Sequence, residues 1–219
     1  MNAPLRLPTP LTLADEQTKA ALADCDIDYS QFPTLPWQPL GEYVGPLLPG
    51  HMVTIGARQA NGKPELARNI LDAFVRGGHP CLYLCTETPA KVMWRTWAAL
   101  RVNARRGHML ANRWDEAIPG LDAAEAKALV KHQVEVLRDR YCDVAVFVDL
   151  PVLSGETLKA ALQEYARRAG YRFVILDHIH RWDPRNPRDL TAELGQAIRR
   201  LKGYANEHGL TVIQCAQVN

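Results

Sequence analysis

The sequence predicts an α/β fold, with a doubly wound, mainly parallel sheet preceded by an extended N-terminal arm. Two observations predict it. From about residue 50 onward, short apolar runs alternate with longer stretches of helical periodicity, an alternation that is typical of α/β domains. The apolar runs are continuous and do not skip every second residue, as expected of parallel strands that are buried on both faces.

The N-terminal arm comes first and differs in composition from the rest. Residues 1–45 are predicted to form a proline-rich linker arm, and 46–219 to form the domain. Prolines are frequent in 1–10 and 32–46, which favours extended backbone. Leu11–Asp24 contains good helix formers with a leucine and alanine stripe, which predicts one short helix. The arm is expected to pack either on its own domain or on a neighbouring subunit.

Strands and helices then alternate along the domain. The predicted strands are 52–56, 81–85, 144–148, 172–176 and 210–216. The predicted helices are 64–77, 89–106, 123–141, 155–170 and 190–209, with Ser154 as the N-cap of the fourth.

Composition sets few limits on function. The 219 residues are 47% hydrophobic and 23% charged with a net charge of +2, which suits a soluble domain and does not by itself predict a polyanionic partner. The five cysteines show no Cys-x-x-Cys spacing, so they are expected to be reduced and mostly buried. No apolar stretch approaches the roughly 20 residues of a membrane span, and no signal-peptide core is present. These features predict a cytoplasmic protein with no membrane partner.

The most informative segment lies between the first predicted strand and the first predicted helix. It nearly matches the Walker A pattern, in which backbone N–H groups and a lysine ammonium hold phosphate groups. Ala57 takes the place of the first glycine of that pattern. The match predicts a nucleotide site formed by Arg58, Gln59, Ala60, Asn61, Gly62, Lys63, Pro64 and Glu65.

Pro64 stands where the pattern has the serine or threonine that ligates Mg²⁺. Proline is tolerated in the first turn of a helix, so the helix is expected to form. The metal-binding hydroxyl and one backbone donor are nevertheless lost. Glu65 brings a carboxylate close to the phosphate site, where it either replaces the missing ligand or repels the nucleotide. In both cases hydrolysis is expected to be weaker than at an intact loop.

Polar residues follow three other predicted strands. Glu87 comes after the second strand, Asp177 after the fourth and Gln217 after the fifth. Ligands of open parallel sheets bind outside the carboxyl ends of the strands, so these residues are expected near Lys63. The two carboxylates have an alternative explanation as helix caps or members of salt bridges.

Four segments in this order, ARQANGKPELARNI, LYLCTETPAKVMWR, FVILDHIHRW and VIQCAQVN, resemble the RecA-like ATPase domain of DnaB-type replicative DNA helicases. The resemblance covers about 33–219 and implies a RecA-like P-loop NTPase fold with ATP and Mg²⁺ as cofactors. It implies that Lys63 contacts the β- and γ-phosphates and that Gln217 senses the γ-phosphate. It further implies that Glu87 is the general base and that Asp177 holds Mg²⁺.

The resemblance also implies contact with single-stranded DNA. The loop after the fourth strand carries Arg181, Arg185 and Arg188, and loops in this place track strand phosphates in the resembling family. Acidic residues, Asp183 and Asp189 among them, are interspersed, so a solvated face explains the same pattern.

Two further patterns are open to interpretations without a ligand. The long segment between Glu87 and the strand 144–148 resembles an insertion and includes the basic stretch 101–113. Tryptophans near that stretch could stack on bases, but Trp94 and Trp97 have the helical spacing typical of a core. His178 and His180 alternate after the fourth strand, yet no third or fourth ligand has suitable spacing, so a zinc site is not predicted.

The sequence leaves three hypotheses about function. The leading hypothesis is an ATP-binding, helicase-like protein of DNA replication or mobile-element DNA metabolism, with weak or partner-dependent hydrolysis, as a homo-oligomer or with another replication protein. The alternative is a catalytically degenerate scaffold or regulator that acts by protein contact. A RecA-like signalling ATPase unrelated to DNA is a third hypothesis. The chain stops at Asn219, before the further strands and arginine finger of the resembling helicases, so cooperative hexameric hydrolysis is not expected of it as it stands.

Overall fold

The computed structural model describes residues 10–168, 170–182 and 190–217. The chain divides into two compact units, Met1–Phe32 and Pro33–Asn219. In the smaller unit, helix α1 (Pro10–Cys25) occupies the stretch for which a helix is predicted, and a 3₁₀ turn follows at Tyr29–Gln31. The larger unit begins before the domain boundary expected at residue 45, and that division of the chain into arm and domain stays a prediction.

A five-stranded parallel sheet organises the described part of the larger unit. Its strands are β1 (Met52–Ala57), β2 (Cys81–Cys85), β3 (Ala145–Asp149), β4 (Phe173–Asp177) and β5 (Thr211–Gln217). They lie in the order β1-β5-β4-β2-β3, and all neighbouring pairs are parallel. The register puts Ala57 opposite Gln217 and Cys85 opposite Asp177. The fold class predicted from the sequence is confirmed, and the polar strand ends share one edge.

The helices largely follow the predicted pattern. Those described in the larger unit are α2 (Gln38–Val44), α3 (Lys63–Arg76), α4 (Ala90–Arg101), α5 (Arg106–Leu110), α6 (Ala123–Tyr141), α7 (Gly155–Ala161), which runs into π-helical turns at Leu162–Arg168, and α8 (Leu190–His208). The helix predicted over 89–106 breaks after α4, where Asn103 adopts a φ of 54°, a left-handed conformation that ends helices. The stretch predicted to be extended contains α2, because Pro39 lies in its first turn, where a missing N–H breaks no bond.

Both faces of the sheet are covered by helices. Tyr83 and Ile175 pack with residues of α3, α4 and α6 on one face, and Leu82 and Val174 pack with residues of α7 and α8 on the other. Strands β2 and β4 are buried along their whole length, as their continuous apolar runs predict. Trp97 is fully buried in the first of these clusters, which confirms that it belongs to the core.

The cysteines are free thiols, as expected. Cys81, Cys85 and Cys215 are buried, and burial raises the pKa of each of these thiols above its ordinary value. Cys25 and Cys142 are exposed. In the part of the chain that the structure describes, no helix combines the length and the apolar character that a membrane crossing requires.

Candidate functional site

The loop between β1 and α3 turns at the carboxyl edge of the sheet. Ala60 and Gly62 have positive φ angles of 63° and 74°, and Gly62 is the N-cap of α3. A Cβ built on Gly62 meets no other atom within 4 Å, so glycine is needed there for the left-handed backbone and the space in front of it is open. Backbone N–H groups of such turns form anion-binding concavities. The loop therefore fits a phosphate group.

Lys63 begins α3 and lies in the middle of this loop, with 8% of its surface exposed. Its Nζ donates hydrogen bonds to the backbone carbonyls of Ala57 at 2.8 Å and Arg58 at 2.9 Å. An ammonium group has three donors, and these contacts use two of them. The remaining donor and the positive charge are available to an anion that lies against the loop.

Pro64 is compatible with the helix, as predicted. It lies in the first turn of α3, and the bond from the N–H of Leu66 to the carbonyl of Gly62, at 3.0 Å, closes that turn. The side chain at this position has no oxygen for a metal ion, so the loop lacks the ligand that an intact Walker A pattern supplies.

Glu65 shares its carboxylate between two guanidinium groups. Its Oε1 lies 2.6 Å from Nη2 of Arg68 and 2.8 Å from Nη1 of Arg106. Burial alone would raise the pKa of Glu65, but attraction to the two arginines outweighs burial and holds the pKa below its ordinary value. The carboxylate is therefore ionised and compensated within the protein. Repulsion of a nucleotide by Glu65, one of the two expectations from the sequence, is offset by these partners.

Asp177 ends β4 and is buried, with 5% of its surface exposed. The hydroxyl of Tyr83 donates to its Oδ2 at 2.8 Å, and the hydroxyl of Thr86 donates to its backbone carbonyl at 2.8 Å. Burial raises the pKa of Asp177 above its ordinary value, against the opposing hydrogen bond from Tyr83. A desolvated carboxylate of this kind gains from a cation placed beside it.

Glu87 lies just beyond β2, with 54% of its side chain exposed. Its Oε2 is 3.4 Å from Nδ1 of His178, a contact that becomes an ion pair when the imidazole is protonated. This position lets Glu87 meet both the solvent and a ligand in front of the sheet.

His180 connects the end of β4 to the end of β5. Its Nδ1 accepts a hydrogen bond from the backbone N–H of Gln217 at 3.1 Å. Burial, followed by the positive charges of His178 and Lys63, lowers the pKa of His180 below its ordinary value. The neutral imidazole thus serves as an acceptor that fixes the backbone at Gln217.

One cleft of about 690 Å³ brings most of these residues together. Among the predicted site residues, its lining includes Gln59, Ala60, Asn61, Gly62, Lys63, Pro64, Glu65, Glu87, Asp177 and Gln217. Arg58 does not line the cleft, although its backbone carbonyl holds Lys63. The lining also includes Arg106, His178 and His180, for which the sequence analysis predicted no role at this site.

The added residues differ in how well the sequence signals them. His178 and His180 follow Asp177 directly at a strand end, so their approach to the cleft could have been inferred from the same edge rule. Arg106 lies in the basic stretch 101–113, many residues away from the loop in sequence. No local pattern indicates that it meets Glu65.

The predicted DNA-binding arginines are only partly covered by the structure. Arg181 ends a 3₁₀ turn at Ile179–Arg181 just after β4, whereas Arg185 and Arg188 lie outside the described residues. The DNA-binding assignment stays a prediction.

Comparison with known proteins identifies the family of the fold. A family model for the DnaB-like helicase C-terminal domain matches residues 36–219. A solved structure described as an ATPase domain is similar, with a TM-score of 0.71 and 17% sequence identity over 97% of this chain and 72% of that one. A DnaB-like replicative helicase, described with its interactions with primase, has a TM-score of 0.67 and 18% identity over 98% of this chain and 50% of its own. No curated protein matches the chain.

At these identities the structural likeness shows the fold alone. The chain spans half the length of the helicase described with primase. The family resemblance inferred from the four sequence segments is confirmed by the family match.

Proposed function

Because the chain belongs to the family of DnaB-like helicase C-terminal domains, its function is related to that of replicative helicases, and we propose that it binds ATP with Mg²⁺ and hydrolyses it weakly or with a partner's help. The process it serves is DNA replication or mobile-element DNA metabolism in the cytoplasm. The observation that carries the proposal is the meeting of Lys63, Glu87 and Asp177 in one cleft at the carboxyl edge of the sheet.

ATP binding rests on the loop before α3. Ala60 and Gly62 adopt left-handed backbone, with open space beside Gly62, and Lys63 adds a charged donor held by two carbonyls. This combination suits the phosphates of a nucleotide. Gln217, fixed through its backbone by His180, is proposed to contact the terminal phosphate.

The carboxylates of Glu87 and Asp177 suit the transfer of a phosphoryl group to water. Glu87 is proposed as the general base that orients the attacking water. Asp177 is proposed to hold Mg²⁺, which supplies charge neutralisation at the phosphates when bound. Mg²⁺ is commonly bound by one or two carboxylates together with substrate phosphates. That mode suits this site, since the described residues contain no group of three acidic, histidine or cysteine side chains able to hold a metal on their own.

Weak hydrolysis is expected because Pro64, at the start of α3, stands in place of a serine or threonine. Pro64 supplies neither a hydroxyl for Mg²⁺ nor a backbone N–H. Glu65, the next residue in the chain, is already engaged by Arg68 and Arg106. Mg²⁺ would therefore have one fewer protein ligand than at an intact loop, and positioning of the phosphates would depend more on a partner.

The proposed partners are single-stranded DNA and another protein. Arg181, Arg185 and Arg188 are proposed to contact strand phosphates after β4. A second copy of the chain or another replication protein is proposed as the protein partner, in keeping with a structural neighbour that is described with its interactions with primase.

Phosphate release from ATP, with and without single-stranded DNA, tests the proposal. The wild type should show slow release that DNA stimulates, and Lys63→Ala should abolish it. Lys159→Ala is the matched control, because Lys159 is an exposed lysine on α7 away from the cleft lining, and it should leave the rate unchanged. Equal residual rates in the wild type and in Lys63→Ala would contradict an enzymatic role.

The alternative function is a helicase-derived scaffold that acts by protein contact, and Pro64 is the observation that favours it. Under this alternative the folded wild-type protein hydrolyses no ATP, and Lys63→Ala retains partner binding. Loss of partner binding in Lys63→Ala would contradict it.

A further inference from the structure

Arg106 is a second positive charge on the wall of the nucleotide cleft, and it comes from a distant part of the same chain. It is the first residue of α5, and its Nη1 lies 2.8 Å from Oε1 of Glu65 in the first turn of α3. Arg106 lines the cleft together with Lys63. The neighbouring Arg105 is exposed and does not line the cleft.

The segment that carries Arg106 is held firmly at both ends. The N–H of Ala104 donates to the carbonyl of Ala99 at 2.8 Å, and the N–H of Arg105 donates to the carbonyl of Ala117 at 2.7 Å. Met109, within α5, is buried with 2% of its surface exposed. These contacts place Arg106 at the cleft through the fold, so its position does not depend on the Glu65 contact alone.

Arg106 retains capacity to bind an anion. A guanidinium has five N–H donors in a planar fork, and the contact with Glu65 uses Nη1. Its Nε is buried and has no hydrogen-bond partner among the described residues. The side chain as a whole keeps 34% of its surface exposed, so other N–H groups of the fork can donate to an oxygen of a ligand in the cleft.

The charge balance at this wall also favours an anion. Glu65 contributes one negative charge, and Arg68 and Arg106 contribute two positive charges at 2.6 Å and 2.8 Å from the same carboxylate oxygen. Arg68 is buried and also acts on Asp177, where its charge opposes the rise in pKa, whereas the Arg106 side chain keeps 34% of its surface exposed. Arg106 is thus the member of this pair that can meet an anion in the cleft, and it shares the cleft lining with Pro64, where the loop has lost a hydroxyl and a backbone donor.

We propose that Arg106 is a phosphate-binding residue of the nucleotide site, supplied by the same chain, and that Glu65 is its positioning residue. Arg106 makes up for donors that the loop lacks at Pro64, and Glu65 orients the guanidinium by its ion pair. The inference rests on the proposed function, since it requires that the cleft take up a nucleotide.

Calorimetric titration of ATP into Arg106→Gln, Arg106→Lys and the control Arg105→Gln tests the first part. Loss of a charge-assisted contact should weaken ATP binding roughly tenfold or more in Arg106→Gln. Arg106→Lys should recover part of the loss, and Arg105→Gln should bind as the wild type does. Thermal unfolding without nucleotide checks that each variant is folded.

The outcomes separate this inference from the proposed function. Absence of ATP binding to the wild type would overturn both. Binding that Lys63→Ala abolishes and Arg106→Gln leaves unchanged would overturn the role of Arg106 and leave the proposed function intact.

The role of Glu65 is tested by Glu65→Ala, Glu65→Gln and the double variant Glu65→Ala with Arg106→Gln. Glu65→Ala should weaken ATP binding equally with and without Mg²⁺, Glu65→Gln should recover most of it through its remaining oxygen, and the double variant should be no worse than Arg106→Gln. A loss confined to Mg²⁺ would instead make Glu65 a metal ligand. Losses that multiply in the double variant would contradict positioning of Arg106 by Glu65.

Discussion

The two walls of the cleft differ in how fully they keep the pattern that the family resemblance implies. The strand wall, formed by Glu87, Asp177 and Gln217, has every predicted residue type at a strand end. The loop wall, residues 58–65, keeps its glycine and lysine but has Pro64 in place of a hydroxyl. The departure from the pattern is therefore confined to the loop wall, whereas the proposed Mg²⁺ ligand Asp177 and the proposed phosphate contact Gln217 belong to the strand wall. Substitution of Glu87 alone should separate hydrolysis from binding, and substitution of Pro64 should change binding.

The largest effect is expected from Glu87→Gln on the strand wall. A general base contributes on the order of 10²–10⁴-fold to a rate, so DNA-stimulated hydrolysis should fall by about that factor. ATP binding should stay near that of the wild type, because the proposed contacts with the phosphates and Mg²⁺ come from the loop, Asp177 and Gln217 and not from Glu87. Rates are measured by phosphate release and binding by calorimetry. A parallel loss of binding and rate would mean that Glu87 itself holds the nucleotide.

Pro64→Thr tests the loop wall. It restores a hydroxyl and a backbone N–H, so ATP binding should tighten by roughly tenfold in the presence of Mg²⁺, with a smaller gain in its absence. The titrations with and without Mg²⁺ serve as controls for each other, because the hydroxyl acts through the metal and the backbone N–H does not. An unchanged affinity in Mg²⁺ would show that another group already replaces the hydroxyl.

Asp177→Asn should stabilise the nucleotide-free protein while it removes Mg²⁺-dependent ATP binding. The raised pKa of the buried carboxyl means that the folded state binds more protons than the unfolded state, so stability falls as the pH rises through the interval above the ordinary value of 3.8. Asparagine carries no charge, so it removes the free-energy cost of keeping a buried carboxylate ionised. The free energy of unfolding should rise by about 1 kcal/mol near neutral pH.

Urea denaturation at neutral pH and at a pH below 3.8 checks this sign, because the gain should vanish where the carboxyl is protonated in both states. Destabilisation of the variant at neutral pH would contradict the view that Asp177 is kept for a bound cation at a cost in stability.

The smallest effect is expected at the contact between His180 and Gln217. His180→Phe removes the acceptor of the Gln217 N–H, which should speed hydrogen exchange of that amide and cost about 1 kcal/mol or less. In the wild type the lowered pKa keeps the imidazole neutral to a pH below its ordinary value of 6.5. The stability that this hydrogen bond contributes is therefore present above the ordinary pKa, and it is lost as the pH falls through the pKa of His180 in the folded protein.

Exchange of the Gln217 amide, followed by NMR at neutral and acidic pH, measures the contact in both forms. Slow exchange that persists in His180→Phe would show that other contacts hold this end of β5.

The strand wall could be predicted from the sequence because its placement follows from local signals. Continuous apolar runs mark parallel strands, and parallel strands bring their carboxyl ends to one edge. That rule predicts that Glu87, Asp177 and Gln217 lie near Lys63, and all four line the same cleft.

The remainder of the site depends on contacts between distant residues. The break after α4 depends on the left-handed backbone at Asn103, which the helical pattern of 89–106 does not signal. That break and the turn that follows carry Arg106 to Glu65. The sequence therefore left the effect of Glu65 open between ligand and repulsion, and neither alternative included an arginine from α5.

The most direct test of a working nucleotide site is calorimetric titration of ATP, with and without Mg²⁺, into the wild type and Lys63→Ala. The geometry of the loop and of Asp177 predicts binding that Mg²⁺ strengthens and that Lys63→Ala abolishes. A folded wild-type protein that gives no binding heat at several temperatures, or that binds ATP equally well without Lys63, would contradict the account.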